Sequence, residues 1–310
     1  MTFRLQDKQL RKQLAAFYRP STVRSVGALL EEWFAIILLA WLSCRAFDLG
    51  GMALGVLVYI ITALIIASRQ RALENLIHES THYNLSKNKF LNDGLTWLFA
   101  AVPLFHHVSC ERQSHCIGHH KNFWDIDKDP DYKRYQLFGM DNLQFNSVAG
   151  FVAYILGKYP RYYVSTLWAF FLPKQESTRS TVLRLIPWVI VGVLAYTYNI
   201  VDIVVLYWFA PFFIVLPIIR YLGEITEHAG FACTTEELTS TRNNLGFFNE
   251  VFLHPRGDAY HLVHHLFPRI PYNRVKHAHA LLLHDEAYRL SGRHVTSFSE
   301  SLADVANVNR

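Results

Sequence analysis

The chain has 310 residues, of which 51% are hydrophobic, 15% aromatic and only 18% charged. Soluble domains carry about a quarter charged residues, so the composition points away from a soluble enzyme and toward a membrane. The formal charge of +5 is mild and the basic residues are scattered, which excludes a nucleic-acid-binding stripe.

The chain opens on MTFRLQDKQLRKQL, a polar and basic stretch without an apolar core, so no secretory signal is expected. The first predicted span covers residues 27–47, with Glu31 and Glu32 near its start. Residues 49–68 then run without a charge, long enough to cross a bilayer. A second pair of spans is predicted at 183–201 and 203–220, separated by Asp202. Apolar runs near 95–105, 148–156 and 164–172 are too short to span and read as interfacial or packed helices.

Basic residues set the orientation. Arg4, Lys8, Arg11, Lys12, Arg19 and Arg24 precede the first span. Arg69, Arg71, Lys87 and Lys89 follow the second, and Arg220 follows the fourth. The short turns carry Asp48 and Asp202, with Arg45 the exception. Both termini and the middle segment are therefore expected in the cytoplasm. The predicted architecture is one all-α integral membrane domain over residues 1–310. It has four transmembrane helices in two hairpins, and a cytoplasmic helical cap from 69–182 and 221–310 that holds a dinuclear metal site.

The cysteines, Cys44, Cys110, Cys116 and Cys233, match neither a zinc ribbon nor a disulfide framework and read as ordinary thiols. The sixteen histidines carry more information. In HESTH, His78 and His82 lie four apart, on one helical face, and can share a metal. The same pattern is the short signature of zinc peptidases, with Glu79 as general base. An uninterrupted helix lifts His78 roughly 15 Å above the hydrocarbon edge. His228 lies at a similar distance past the fourth span, so His78, His82 and His228 reach one level. SHCIGHHKN adds His115, His119 and His120, and AYHLVHHLFP adds His261, His264 and His265.

On an α-helix the last three fall within about 100° of one another. His115 and His119 are similarly close, whereas His120 is displaced by about 100° and directed to a second metal. Nine imidazoles suit two metals with four or five ligands each; iron, copper, zinc and nickel all accept imidazole. His106, His107, His254, His277, His279, His284 and His294 read as surface or hydrogen-bonded residues.

HESTH, HCIGHH, EHAG and HPRGDAYHLVHHLFPRIPYNRV together resemble the membrane fatty acid desaturase superfamily, over residues 49–288. The resemblance implies two iron ions held mainly by the nine histidines, O2 as co-substrate, and insertion of a double bond into a fatty acyl chain. That chain would be a coenzyme A, carrier-protein or lipid ester. No cytochrome b5 domain, flavin fold or iron–sulfur cysteine pattern is visible, so electrons are expected from a separate donor such as ferredoxin or cytochrome b5. The H-x-x-x-H-H spacing around Gly118 also resembles membrane alkane hydroxylases, which keeps hydroxylase and acetylenase outcomes open on the same centre. Val263 stands where many bacterial relatives have Glu.

Glu224 lies one turn before His228 and faces the same way. It is read as a carboxylate ligand, an outer partner of a ligand, or an ion-pair member. Glu79, Glu227 and Asp258 adjoin ligands in sequence and are positioned to accept their second ring N–H. Asp125, Asp127, Asp129 and Asp131 offer the same service or form a solvated loop. Tyr207, Trp208, Phe209, Phe212 and Phe213 are candidate walls of an apolar substrate tunnel, or plain packing residues. Arg269, Arg274 and Lys276 are candidates for an acyl carrier or lipid head group, or interfacial side chains.

Two other classes compete. A membrane zinc metalloprotease would use His78, Glu79 and His82 and leave most other clustered histidines without a role. A metal transporter or sensor would place its ligands near the midplane of the spans, where none of the clusters falls.

Overall fold

The computed structural model describes residues 3–141, 143–171, 177–231 and 235–306; Cys233 lies outside them. Among the described residues helices dominate, and three are long and apolar enough to cross a membrane: Thr22–Thr81, Ser180–Thr197 and Val201–His228. Phe34, Ile37, Trp41, Leu57 and Ile60 are exposed on the first of these, a face suited to hydrocarbon.

Thr22–Thr81 counts 60 residues. Straight, it would measure about 90 Å, some three times a bilayer core. It is not straight. Gly51 adopts φ 66°, ψ −167°, a region that essentially only glycine occupies, and there the chain turns back. Arg69 reaches Glu32 at 3.4 Å across the fold, and Thr22 Oγ1 lies 2.8 Å from Ser86 Oγ. Gly55 lies so close to the Phe47 ring that a Cβ would not fit. The helix is thus a hairpin with arms 22–50 and 52–81. The sequence predicts its turn at Asp48. Asp48 instead stays helical and pairs with Arg45 at 2.9 Å, because the reversal needs a backbone conformation that aspartate resists.

The second pair differs in the same way. Thr178–Thr197 ends before Asn199, which takes φ 54°, and the next helix starts at Val201. Asn tolerates the left-handed region. Asp202, expected in the turn, occupies the first helical turn, where the helix dipole favours a carboxylate. Wide π-turns at Val205–Phe209 and Pro211–Val215 lead into Leu216–His228. Pro211 and Pro217 lack the N–H that regular α-bonding requires.

The hairpins lock through their aromatic residues. Trp208 stacks on Trp33 at 4.9 Å, Tyr207 donates to Ser43 Oγ at 2.9 Å, and Gln70 Nε2 donates to the Trp208 carbonyl at 2.9 Å. The two short apolar runs at 148–156 and 164–172 merge into one helix, Val148–Phe171, with Pro160 inside it. The C-terminal part is tied back by a short parallel pair, Arg242–Asn244 with Arg293–Val295.

Candidate metal centre

Four elements converge on one place. The 52–81 arm carries His78, and His82 follows as its C-cap. Leu216–His228 ends on His228. Gln113–His119 is a π-helix bearing His115 and His119, and His120 follows it. The short helix His261–Leu266 supplies the last three histidines.

The nine rings divide into two sets. In the first, His78, His82, His115, His120 and His264 bring their nitrogens within 4.8 Å of one another. His115 Nε2 lies 2.7 Å from that of His78 and 2.9 Å from that of His120, and His120 Nε2 lies 3.0 Å from His264 Nε2. In the second, His228 Nε2 is 3.0 Å from His261 Nε2, which is 3.2 Å from His265 Nε2. His119 Nε2 lies 3.4 Å from His265 Nε2.

These spacings match ligands of one ion, since nitrogens each about 2.0–2.1 Å from a metal stand roughly 3 Å apart. Tautomers strengthen the point. His228 Nδ1 lies 3.1 Å from the Ser240 carbonyl, which can only accept, so its proton is there and Nε2 presents a lone pair. His119 Nδ1 sits 3.0 Å from Asp129 Oδ2 with the same consequence. Lone pairs converging in a buried space repel unless a cation lies between them. Burial pushes His115, His120, His264 and His265 well below the ordinary histidine range, and His82 to about 4. These rings are neutral at pH 7, the form that binds a metal. Burial also pulls His119 down, but Asp131 and Asp129 outweigh it and raise it. The residues present fit two cations.

A cavity of about 1010 Å³ opens beside both sets, with His78 and His115 of the first and His119, His228 and His261 of the second on its wall.

The fatty acid desaturase profile matches residues 52–298 of this chain. The chain belongs to the fatty acid desaturase family. It is also similar to the dihydrorhizobitoxine desaturase of Bradyrhizobium elkanii, 29% identical over 298 residues, covering 91% of this chain and 81% of the relative. The protein is thus an oxidoreductase of the desaturase type, with apolar membrane-type helices and histidine clusters suited to metal.

One expectation about this desaturase is corrected by the structure. An α-helical second box puts His115 with His119 and sends His120 elsewhere; the structure pairs His115 with His120 and gives His119 to the other set. The cause is the π-helix. The His120 N–H donates to the His115 carbonyl five residues back, so residues five apart share a side. Gly118 sits inside this turn, where a Cβ would collide with the Pro130 ring.

The expected supporting residues take distinct places. Asp129 is fully buried, where it holds His119 and accepts the Trp124 and Asp131 backbone N–H groups at 2.9 Å. Asp125 and Asp127 remain near the surface. Asp258 approaches His261 Nδ1 at 3.5 Å and His254 Nδ1 at 3.1 Å. Glu227 stands 3.8 Å from His261 Nε2, and both carboxylates meet Arg71 at 3.3 Å. Glu79 accepts from the Tyr272 N–H at 2.7 Å and from Asn84 at 3.2 Å, behind His264 Nδ1 at 3.8 Å. So placed, its carboxylate is taken up by two donors and is not poised as a protease base. Glu224 lies in neither set: Arg134 and Tyr162 each donate to its Oε1 at 2.8 Å, which makes it an ion-pair member.

Tyr207, Trp208 and Phe212 do not line the cavity; they are buried in the core between the hairpins. Their size and apolarity, which made them candidate walls, serve packing there. None of His106, His107, His254, His277, His279, His284 and His294 belongs to either set.

Sequence reasoning missed Asn243 and the Ser240 carbonyl. Asn243 Oδ1 accepts the Leu262 N–H at 3.0 Å and the Val263 N–H at 3.4 Å, fixing the start of the helix that carries His264 and His265. A lone Asn and a backbone carbonyl leave no signal in a single sequence.

Proposed function

We propose that this protein is an O2-dependent di-iron desaturase whose ligands are His78, His82, His115, His120 and His264 at one iron and His119, His228, His261 and His265 at the other. The observation that carries the reading is the convergence of imidazole nitrogens, two of them oriented by Asp129 and Ser240, into two sets side by side. Two irons, when bound, supply the activation of O2 that an unactivated C–H bond requires. Overall, two vicinal hydrogens leave the substrate as a double bond forms. Together with O2, two protons and two electrons they end as two waters.

The protein residues hold and orient. Asp129 and the Ser240 carbonyl fix rings through Nδ1, Asp258 and Glu79 put negative charge 3.5 and 3.8 Å from Nδ1 of His261 and His264, and Asn243 fixes the third helix. The electrons are assigned to a separate donor protein such as ferredoxin or cytochrome b5. The reading includes four crossings, with the centre and both termini on the cytoplasmic side; the reversals at Gly51 and Asn199 and the basic flanks support it. The family's name gives a fatty acyl chain as the general substrate, whereas the relative is named for dihydrorhizobitoxine; both names share the desaturating step. Hydroxylation on the same centre is the second reading, favoured by the H-x-x-x-H-H spacing.

The test is transition metal per chain in detergent-purified protein, beside a His228→Ala, His264→Ala double variant. About two metals in the wild type, reduced in the variant, support the assignment. About one metal, unchanged in the variant, overturns it.

A further inference from the structure

A tunnel for a hydrocarbon chain is walled by hydrocarbon, because an apolar chain that strips water from charged groups offers them nothing in return. The cavity beside the histidines has apolar wall as well, but charged side chains interrupt it. Arg134, Glu224, Glu111 and Asp131 line it, and the side chains of Arg134, Glu111 and Asp131 stay 39%, 41% and 41% accessible. Glu111 meets His106 Nδ1 at 2.7 Å and Asp131 stands 3.5 Å from His119 Nδ1, whereas the pairing of Arg134 is incomplete. Arg134 Nη2 meets Glu224, but its Nε has no hydrogen-bond partner among the described residues. Thr166, also on the wall, is 6% exposed and its Oγ1 likewise has none. Tyr162 links the two: the Arg134 guanidinium lies 5.0 Å over its ring, and Thr166 follows it by one turn of the same helix. A buried hydroxyl and a guanidinium N–H without partners cost free energy until a ligand supplies an acceptor.

Resting on the desaturase reading, we propose that the cavity takes a small zwitterion of the amino-acid class, with its carboxylate at Arg134 and Thr166 and its ammonium toward Asp131 and Glu111. Ile77, Phe105, Leu137 and Phe138 give apolar wall for a short alkyl segment that reaches the histidines. Both signs of charge are on this wall, so a substrate with both is satisfied and one with neither is not. A polyanionic carrier such as a coenzyme A ester is disfavoured, because six carboxylates, Glu74, Glu111, Asp131, Glu224, Glu227 and Asp258, share this wall with three arginines, Arg71, Arg134 and Arg220. Arg269, Arg274 and Lys276, the sequence candidates for such a head group, do not line the cavity.

The experiment is equilibrium binding of four probes to the metal-loaded protein in detergent: L-norleucine, hexanoate, hexylamine and stearoyl-coenzyme A. Metal is counted on the same preparation. Norleucine is expected to bind tightest, by about tenfold over either singly charged probe, since each of those lacks one charge-assisted hydrogen bond. Arg134→Gln is expected to reduce its affinity by a similar factor, and Thr166→Val, which keeps volume and apolar packing, to weaken it with the metal count unchanged. Tightest binding by stearoyl-coenzyme A or hexanoate overturns the proposal, as does no binding by any charged probe. If the metal count is about two while norleucine fails, only the substrate class is wrong. If the count itself fails, the desaturase assignment beneath it falls.

Discussion

His119 and His120 are neighbours in the chain, yet they face different metal sets: His120 Nε2 lies 3.0 Å from that of His264, and His119 Nε2 lies 3.4 Å from that of His265. One peptide unit therefore bridges the two halves of the centre, and the π-turn before it sets both directions. His119→Ala should remove about one metal and His120→Ala should deplete the other set. Deleting Ile117, which gives the H-x-x-H-H spacing, should lower both. Metal per chain by mass spectrometry reads all three.

Glu224→Gln tests the ion-pair assignment. The amide keeps the Tyr162 hydrogen bond and loses only charge pairing with Arg134. Metal per chain should stay at the wild-type value. A loss of metal would show that Glu224 reaches the centre.

Asn243→Leu removes the acceptor for two buried backbone N–H groups. Stranding them should cost about 2–3 kcal/mol of stability, seen as a lower melting temperature, and weaken metal retention. Asn243→Asp, which keeps Oδ1, should retain more metal than the leucine variant.

His279 makes stability depend on pH. Burial, with His294 beside it, pulls its pKa down to about 4. Its neutral Nδ1 accepts from the Tyr288 hydroxyl at 2.8 Å, in the cluster that holds Asn243. An unfolded histidine takes up a proton below about pH 6.5. The unfolded state thus binds more protons between about 6.5 and 4, so stability is lost as pH falls through that window and is unaffected above it. His279→Gln should flatten part of the slope in melting temperature between pH 7 and pH 5.

Gly51→Ala forces a Cβ into a conformation that L-residues avoid. It should destabilise the first hairpin by about 1–3 kcal/mol, measurable as a lower melting temperature in detergent. Gly27→Ala, in open space within the same helix, is the control and should be near neutral.

Hydropathy and spacing made the main parts of this protein legible. Twenty uncharged residues predict a bilayer-length helix whatever surrounds it, and His78 with His82 share a face because α-helical periodicity is local. Eight of the nine histidines are identifiable from sequence for the same reason: each box is short, and its residues stand close before any folding, whereas the single His228 is legible from its distance past the fourth span. The turns at Gly51 and Asn199 were misplaced by a few residues, because charge marks where a turn is solvated and backbone freedom decides where it occurs.

Only the tertiary structure decided which rings meet. The exchange of His119 and His120 depends on a π-turn, which widens where Gly118 lets the chain approach Pro130. Ser240, Asp129 and Asn243 act on rings or N–H groups that folding brings to them, and Glu224 is claimed by Arg134 from another helix. Tyr207, Trp208 and Phe212 look like tunnel walls in sequence. Burial against Trp33 and Ser43 is a long-range outcome that no local pattern encodes.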